Sequence, residues 1–387
     1  MTYDVVIVGG GPSGSLLAYL LSQMGYSNLI IEKSKFPRYK TCGGGLTMKA
    51  IQQLPYDVEP VIERSASGGI LTFRGKKQFR VDHKKVVAKY IMRDRFDHYL
   101  LRKAVEIGTD LIENTKIENV TYNAQLVTVQ TPEGEIPSRL IIGADGVYSQ
   151  TAKLLGLLNN RKTGVALEAE ILVPRKTLEF QGAYALFDFG TIQNGYGWIF
   201  PKKDHFSVGV FYAKGSRVMN LKQSLDTFIL NQPILNNHQI VSIKGHKIPL
   251  GGDEHVLHTS SGLVIGDAAN LADPWLGEGI YYAFRSARIA AEEIDNLLNN
   301  KTNSLENYSR RINSEIIKQF KIARGLSNIV YRYPQKLSVI LSKSPIMQRA
   351  IFDTIRGDIN FRQLRGRLIR NIHNIYLEVE RNKERTK

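Results

Sequence analysis

The chain has 387 residues, of which 43% are hydrophobic and 23% charged, a composition typical of a globular protein large enough for two connected domains. A single cysteine excludes an intramolecular disulfide and is typical of the reducing cytosol. No apolar stretch reaches the roughly 18 residues that span a bilayer. No signal peptide precedes the first predicted strand, which begins at residue 3. We therefore expect a cytoplasmic protein.

The net charge of +16 is concentrated towards the C-terminus. Residues 301–387 contain 19 Lys and Arg against 7 Asp and Glu, which places +12 of the total there. Apolar residues recur at helical spacing in this region, at positions 361, 364, 368, 372, 375 and 379. Two interpretations stay open: a helix packed on the body with a solvated basic face, or an interfacial helix at an anionic membrane surface. Nucleic acid is the weakest hypothesis, because no stacking platform or recognition motif accompanies the charge.

The first predicted element is a strand from Tyr3 to Val8, followed by the turn Gly9-x-Gly11-x-x-Gly14 and a helix over 13–24. A second apolar run, 29–31, ends in Glu32. Glycines keep such a turn tight and let the backbone approach a pyrophosphate, while the helix N-terminus offers free N–H groups and partial positive charge. The terminal acid can accept hydrogen bonds from a ribose. The segment predicts a βαβ unit that binds a dinucleotide; a glycine-rich turn in another α/β protein is the alternative.

From the glycine loop 40–45 onward, hydrophobic periodicity and turn residues predict the remaining elements. In chain order they are a helix near 47–54, strands at 70–73 and 78–89, a helix at 93–107, strands at 117–122, 126–131 and 140–143, a long β-region at 165–248 with one helix near 221–231, a strand at 263–266 and a helix at 279–298. Beyond residue 301 the chain is predicted to be helical and basic.

Two segments favour a flavin over a nicotinamide cofactor. One is the strand-end turn Asp145-Gly146, and the other is Gly266-Asp267 followed by Gly277-x-Gly279-Ile280 at the start of a helix. A strand-end aspartate can accept a hydrogen bond from a ribityl hydroxyl. A helix N-terminus at the pyrimidine edge stabilises the negative charge of a reduced flavin. A nicotinamide dehydrogenase needs neither segment, so we expect FAD.

Together these motifs resemble the FAD proteins of the p-hydroxybenzoate hydroxylase fold, and most closely the geranylgeranyl reductase family. The resemblance covers roughly residues 3–295. Its further marks are Pro37-Arg38, Lys40-x-Cys42-Gly43-Gly44, Arg93-x-x-x-Asp97-x-x-Leu100, Tyr196-x-Trp198-x-Phe200-Pro201-Lys202 and Gly277-Glu278-Gly279-Ile280. Related hydroxylases carry an arginine seven residues after the aspartate of the Asp-Gly turn, where this chain has Ala152, which favours the reductase. Gly209-Val210-Phe211 departs from the reductases' Gly-x-Gly and leaves the shape of the lipid pocket open.

The resemblance implies that Cys42 and Gly43 lie beside the flavin and that Trp198 and Phe200 form an aromatic wall for an isoprenoid chain; we predict these four as catalytic residues. The alternative for Cys42, Trp198 and Phe200 is a role in core packing. The alternative for Arg93 is a position on the surface. The Trp-x-Trp-x-Ile-Pro signature of flavin halogenases is matched only in part. No metal-binding spacing is present. The predicted cofactor-binding residues are Gly9, Gly11, Pro12, Ser13, Gly14, Glu32, Lys33, Arg38, Cys42, Gly43, Arg93, Asp145, Gly266, Asp267, Gly277, Gly279 and Ile280.

We therefore predict an α/β fold: a Rossmann-type FAD-binding domain, an interleaved antiparallel β-sheet substrate domain and a C-terminal helical region. The expected ranges are 1–164 for the FAD-binding domain with inserted β elements at about 65–90, 165–250 for the substrate domain, 251–300 for the return to the first domain and 301–387 for the basic helices.

The predicted activity is saturation of C=C bonds in a geranylgeranyl or related prenyl chain by hydride transfer from reduced flavin. The substrate would be a prenylated lipid or prenyl diphosphate, the electron donor NADPH or another reduced carrier, and the location peripheral to an anionic membrane. A monooxygenase of the same fold and a non-catalytic, flavin-bound membrane-associated protein are the alternatives.

Overall fold

The computed structural model describes residues 2–123, 126–157, 161–213 and 220–384, so parts of the predicted ranges 1–164, 165–250 and 301–387 lie outside the described residues. The strands are β1 (Tyr3–Val8), β2 (Asn28–Ile31), β3 (Gly45–Thr47), β4 (Ile62–Ala66), β5 (Gly68–Phe73), β6 (Lys76–Asp82), β7 (Ala88–Ile91), β8 (Asp110–Ile112), β9 (Asn119–Tyr122), β10 (Val127–Thr131), β11 (Gly134–Gly143), β12 (Thr163–Leu172), β13 (Ala185–Phe189), β14 (Gly195–Pro201), β15 (Phe206–Tyr212), β16 (Gln239–Pro249) and β17 (Gly262–Val264).

The α-helices surround these strands and dominate the chain after residue 280. They are α1 (Pro12–Gln23), α2 (Met48–Ile51), α3 (Arg93–Glu106), α4 (Gln150–Leu154), α5 (Arg175–Gln181), α6 (Leu221–Leu230), α7 (Ile280–Leu298), α8 (Glu306–Ile312), α9 (Lys318–Arg332), α10 (Pro334–Lys343), α11 (Pro345–Arg356), α12 (Phe361–Arg370) and α13 (Ile372–Glu384). A π-helical turn, Asn313–Ile317, joins α8 to α9.

The first sheet has the strand order β8-β2-β1-β11-β10-β9, with β17 paired to β11. Strands β8, β2, β1, β11 and β17 run parallel, and β10 and β9 extend the sheet antiparallel. Residues Val5–Val8 are all buried, as expected for a parallel strand covered on both faces. Helix α1 packs on β1 and β2 of this sheet, and α3 and α7 pack on α1. The predicted βαβ unit is therefore confirmed.

The second sheet has the order β16-β12-β15-β14-β13-β5-β6, and it is antiparallel except for the parallel pair β13 and β5. Its strands β5 and β6 come from the inserted region near 65–90. The prediction of one strand over 78–89 was wrong: β6 ends at Asp82 and β7 begins at Ala88. The chain turns between them because the His83 and Val87 N–H groups donate to the carbonyls of Ser67 and Ala66.

The C-terminal region is helical, as predicted, but the apolar stripe that begins at 361 is divided between two helices. α12 ends at Arg370 and α13 begins at Ile372. Phe361 and Leu364 are buried in a cluster with Trp275, whereas the side chain of Ile372 is 69% exposed. In the described part of the chain no helix is both long and apolar enough to cross a bilayer.

Candidate functional site

A cleft of about 670 Å³ is lined by residues from both large sheets, from the loop 38–45 and from the N-terminus of α7. All the residues predicted for the site line it except Gly14 and Gly266. Both exceptions are close-packing positions: a Cβ on Gly14 would lie 2.0 Å from the Gly9 carbonyl oxygen, and one on Gly266 would lie 2.8 Å from Oγ of Ser13. The structure thus collects the predicted residues at one site.

The three motif glycines have different tasks. Gly9 has φ +107°, and a Cβ there would lie 2.5 Å from the Ala144 carbonyl oxygen, so this position requires glycine. Gly14 lets α1 pack against the turn. Gly11 is not constrained by the protein, because a Cβ there would meet nothing nearer than Nη2 of Arg38 at 3.7 Å. The open space over Gly11 is where a pyrophosphate can approach the N-terminus of α1.

Glu32 at the end of β2 is fixed by the turn itself. Its Oε2 accepts a hydrogen bond from the Gly10 N–H at 2.8 Å, and its Oε1 accepts one from the Ser34 N–H at 3.0 Å. The carboxylate and the neighbouring Lys33 line the same end of the cleft. Glu32 therefore has the position and the acceptor capacity to bind a ribose, since a carboxylate has about four acceptor sites.

Arg38 and Arg93 converge on one buried carboxylate. Nε and Nη2 of Arg93 donate to Asp97 at 2.7 and 2.8 Å, and Nη1 of Arg38 donates to the same side chain at 3.1 Å. Burial acts to lower the pKa of Arg93, but the adjacent Asp97 outweighs it and holds that pKa above its usual value. Arg93 is thus a fixed cation at the wall of the cleft and not a surface residue.

The two strand-end aspartates differ in what they bind. Asp145 caps α4: its carboxylate accepts from the hydroxyl of Ser149 and from both N–H and Oγ1 of Thr151 at 3.0 Å. The carboxylate of Asp267 accepts no hydrogen bond from the described residues, and this residue lines the cleft. Burial raises the pKa of Asp267, while Lys40 and Arg93 act in the opposite direction. Of the two, Asp267 has the free acceptor that a ribityl hydroxyl needs.

The start of α7 is open towards the cleft. Gly277 has φ +69°, Gly279 is the N-cap, and the first turn of the helix contains no acidic residue. Glu278 points to other partners, because it accepts from Oγ1 of Thr47 at 2.6 Å and pairs with Nζ of Lys49 at 2.6 Å. The free N–H groups at Gly279 and Ile280 therefore face the site, with the positive end of the helix dipole behind them.

The glycine loop is held by two buried charged residues that the sequence analysis did not assign to the site. Lys202 is fully buried, and its Nζ donates to the carbonyls of Gly43 at 2.7 Å and Ile91 at 2.8 Å. Glu168 is 1% exposed and accepts from the Cys42 N–H at 2.7 Å. Burial lowers the pKa of Lys202 and raises that of Glu168. Lys202 was noted only as part of a motif, and burial of a lysine is visible only in three dimensions.

An aromatic wall stands directly against this loop. Tyr196, Trp198 and Phe200 alternate along β14, with neighbouring ring centroids 6.3 and 6.2 Å apart. A Cβ on Gly43 would lie 2.8 Å from Nε1 of Trp198 and 3.0 Å from Cδ2 of Phe200. Phe187 adds a ring 5.4 Å from that of Phe200. These aromatic residues therefore both pack in the core and line the cleft, so the two interpretations of their sequence pattern are compatible.

Lys40 contributes a second cation beside the loop. Its Nζ lies 2.6 Å from Nε2 of His246 on β16. Burial, followed by the positive charge of Arg93, lowers the pKa of Lys40 to about 8. Burial together with Lys40 and Arg93 lowers the pKa of His246 to about 4, so the imidazole is neutral at pH 7 and accepts the hydrogen bond.

Comparison with known proteins agrees with this geometry. The FAD binding domain family matches residues 2–194. A digeranylgeranylglycerophospholipid reductase from Methanocaldococcus jannaschii is 30% identical over 308 residues, which are 75% of this chain and 76% of the relative. The chain belongs to the geranylgeranyl reductase family. It is an FAD-dependent oxidoreductase of the prenyl reductase type. An uncharacterised protein from Methanosarcina barkeri is 31% identical over 346 residues, 89% of this chain and 88% of the relative.

Solved structures support the fold of this reductase. A geranylgeranyl bacteriochlorophyll reductase-like protein from Thermoplasma acidophilum superposes with a TM-score of 0.80 at 22% identity, covering 95% of this chain and 99% of its own. A flavin-dependent brominase also shares the fold, with a TM-score of 0.73 at 20% identity, covering 97% of this chain and 100% of its own. At these identities both comparisons concern architecture alone.

The residues present fit FAD. Gly11 leaves room for a pyrophosphate, Glu32 offers carboxylate acceptors at the end of β2, and the Asp267 carboxylate has an unused acceptor beside the N-terminus of α7. The cations Arg38 and Lys40 give the cleft the positive charge that a dinucleotide phosphate requires.

Proposed function

We propose that this reductase saturates C=C bonds of a geranylgeranyl or related prenyl chain. The observation that carries the proposal is the aromatic wall of Tyr196, Trp198 and Phe200, which lines the same cleft as the glycine loop and the start of α7. A cleft that is apolar on one side and charged on the other suits a long apolar chain next to a charged cofactor. When bound, reduced FAD supplies the hydride for one alkene carbon, and a proton completes the other.

The protein's contribution is placement and exclusion of water. An unactivated alkene polarises poorly, so the two reacting partners must be held in close contact in a dry site. Lys202 and Glu168 fix the backbone of the loop by hydrogen bonds, and the rings of Trp198 and Phe200 pack against Gly43. The chain would lie along the rings, where apolar contact fixes its position without polar groups.

Cys42 is the loop residue whose side chain we propose acts at the site. Its Sγ accepts a hydrogen bond from the Gly44 N–H at 3.4 Å and lies within hydrogen-bonding reach of the Arg93 guanidinium. The side chain is partly exposed and lines the cleft, which is unlike a buried structural cysteine. It is placed to shape the surface on which the prenyl chain rests.

We also propose that NADPH or another reduced carrier supplies electrons by transient docking. The sequence contains one Gly-x-Gly-x-x-Gly motif, at Gly9, and this motif belongs to the site already described. A donor that binds only for electron transfer needs no nucleotide-binding domain of its own.

Peripheral contact with an anionic membrane is a further part of the proposal. Near the C-terminus, Ile369, Ile372 and Tyr376 are each more than 60% exposed, and the nearby Arg365 and Arg370 are exposed as well. Apolar side chains beside arginines are the composition of an interfacial surface.

Anaerobic reoxidation of the flavin tests the proposal. The holoenzyme is reduced with dithionite without oxygen, and geranylgeranyl diphosphate or its fully saturated phytanyl analogue is added while the flavin absorbance is followed. Reoxidation by the unsaturated chain alone supports the reductase. A flavin that stays reduced with both compounds without oxygen, in a protein that forms an oxygenated product with NADPH in air, identifies a monooxygenase instead.

A further inference from the structure

One end of the cleft is closed by the C-terminal helical region. Phe352 and Ile355 on α11 line the cleft together with residues of the second sheet. Phe352 is 6% exposed and packs on Val81 and Val87. A Cβ on Gly69 would lie 3.2 Å from Cζ of Phe352, so this ring is in direct contact with β5.

A continuous apolar wall leads from the glycine loop to this ring. Phe200 packs against Gly43, and Phe187 lies 5.4 Å from Phe200 between ring centroids. Ala185 lies two residues from Phe187 along β13, which is a distance of about 7 Å. It is in register with Gly69 on β5, the glycine that Phe352 contacts. The cleft is also lined by residues with a small side chain or none, which are Ala66, Gly68, Ala88 and Ala185. These small residues leave apolar space beside the ring of Phe352 in the same cleft.

Contacts on both sides of Phe352 fix its position. The Asp353 carboxylate lies 3.2 Å from Nε2 of His83, in the turn between β6 and β7, and accepts from Nη1 of Arg367 on α12 at 2.6 Å. Nε of Arg356 donates to the Val86 carbonyl at 3.0 Å. Helix α11 is therefore tied to the second sheet on one side and to α12 on the other, and its Phe352 cannot withdraw without breaking these bonds.

We infer that Phe352 is the end stop of the prenyl channel and determines the longest chain that the reductase accepts. The inference rests on the proposed function. A chain that runs along the wall from the glycine loop meets the ring of Phe352 end-on, so one more isoprene unit has no space. Phe352 is in this view a specificity-determining residue and takes no part in the chemistry.

The test compares chain-length preference in FAD-loaded enzyme. The substrates are farnesyl, geranylgeranyl and geranylfarnesyl diphosphate, which differ by one isoprene unit each. For wild type and variants, kcat/KM is measured anaerobically with dithionite as reductant, and Kd is measured separately by quenching of tryptophan fluorescence. Phe352→Ala should raise kcat/KM and the affinity for geranylfarnesyl diphosphate, relative to geranylgeranyl diphosphate, by about tenfold or more. The reason is that an isoprene unit makes more apolar contact than the single methylene group on which such discrimination is usually measured.

Two further variants give controls. Ala185→Leu fills the channel ahead of the stop, so it should disfavour geranylgeranyl relative to farnesyl by about tenfold. Phe361→Ala removes a phenylalanine that is equally buried, on the adjacent α12, and that does not line the cleft; it should leave the length preference unchanged. If Phe352→Ala does not fold, Phe352→Leu shortens the side chain with less loss of packing and should shift the preference in the same direction.

The outcomes separate this inference from the proposed function. A Phe352 variant that retains FAD and binds geranylgeranyl diphosphate with an unchanged length preference overturns the inference, whatever its turnover. Relaxed length selectivity in Kd without any turnover in wild type supports the channel stop and contradicts the proposed reductase activity. An equal shift in Phe361→Ala also overturns the inference, since general loosening of the helical region would then explain it.

Discussion

Gly11 allows cofactor binding to be removed without damage to the fold. Its backbone dihedrals, φ −75° and ψ −174°, are open to any residue, and the nearest atom to an added Cβ is Nη2 of Arg38 at 3.7 Å. In the FAD-free protein, Gly11→Val should therefore change the free energy of unfolding by no more than about 1 kcal/mol. With FAD, the side chain occupies the space of the pyrophosphate. Each charge-assisted backbone hydrogen bond lost costs about 1.5–3 kcal/mol.

The loss of two such bonds weakens FAD binding by at least about 100-fold. Isothermal titration of FAD into the FAD-free protein measures this directly. In thermal unfolding, FAD at 100 times the wild-type Kd stabilises wild type by about 2.7 kcal/mol and should hardly stabilise the variant.

Gly14→Ala is the matched control for Gly11→Val. Its Cβ would lie 2.0 Å from the Gly9 carbonyl oxygen, so it should destabilise the FAD-free protein by about 1–3 kcal/mol. A Gly11→Val protein that stays yellow at full occupancy refutes the assignment of this turn to the pyrophosphate.

Three other predictions follow from the loop and the surface. Lys202→Met should lower the free energy of unfolding by about 3 kcal/mol and reduce FAD occupancy, because the carbonyls of Gly43 and Ile91 lose their buried donor. The matched substitution at the exposed neighbour, Lys203→Met, should change either quantity little. Equal effects of the two substitutions in urea unfolding would contradict the role of Lys202. Cys42→Ala should fold and bind FAD but lose most turnover or change the number of bonds reduced, and an unchanged product pattern by mass spectrometry would make Cys42 a structural residue. The double variant Ile369→Ser and Ile372→Ser should bind anionic vesicles more weakly than wild type in a sedimentation assay. Binding of wild type should fall as salt is added, because the Debye length shortens. If wild type does not bind such vesicles at low salt, the C-terminal region only packs on the body of the protein.

The nucleotide-binding half of the fold was predictable because its signals are local. A continuous apolar run such as Val5–Val8, a glycine turn and a terminal acid all lie within 30 residues, and each constrains the backbone directly. The helix predicted over 279–298 is likewise present, as α7. The expected domain ranges stay a prediction, as does the role of each site residue.

Features that depend on distant partners were not predictable. Lys202 reads as a solvated residue in sequence, and its burial depends on carbonyls of Gly43 and Ile91, which lie more than 100 residues away in the chain. Residues 78–89 were predicted as one strand, but the turn at His83 is held by the link between β4 and β5 and by α11. The stripe beginning at 361 was regular in sequence, and only packing on Trp275 showed which part of it is buried.

Mass spectrometry of the lipid products shows whether the enzyme saturates a prenyl chain. The FAD-loaded protein is reduced in the absence of oxygen and incubated with geranylgeranyl diphosphate or with a geranylgeranylated phospholipid. The prenyl chains are then released and their molecular masses are measured. We expect products heavier by two hydrogen atoms for each bond saturated, with one equivalent of flavin oxidised per bond. Chains recovered at their original mass, from protein whose FAD is fully bound and fully reduced, would contradict the proposed reductase activity.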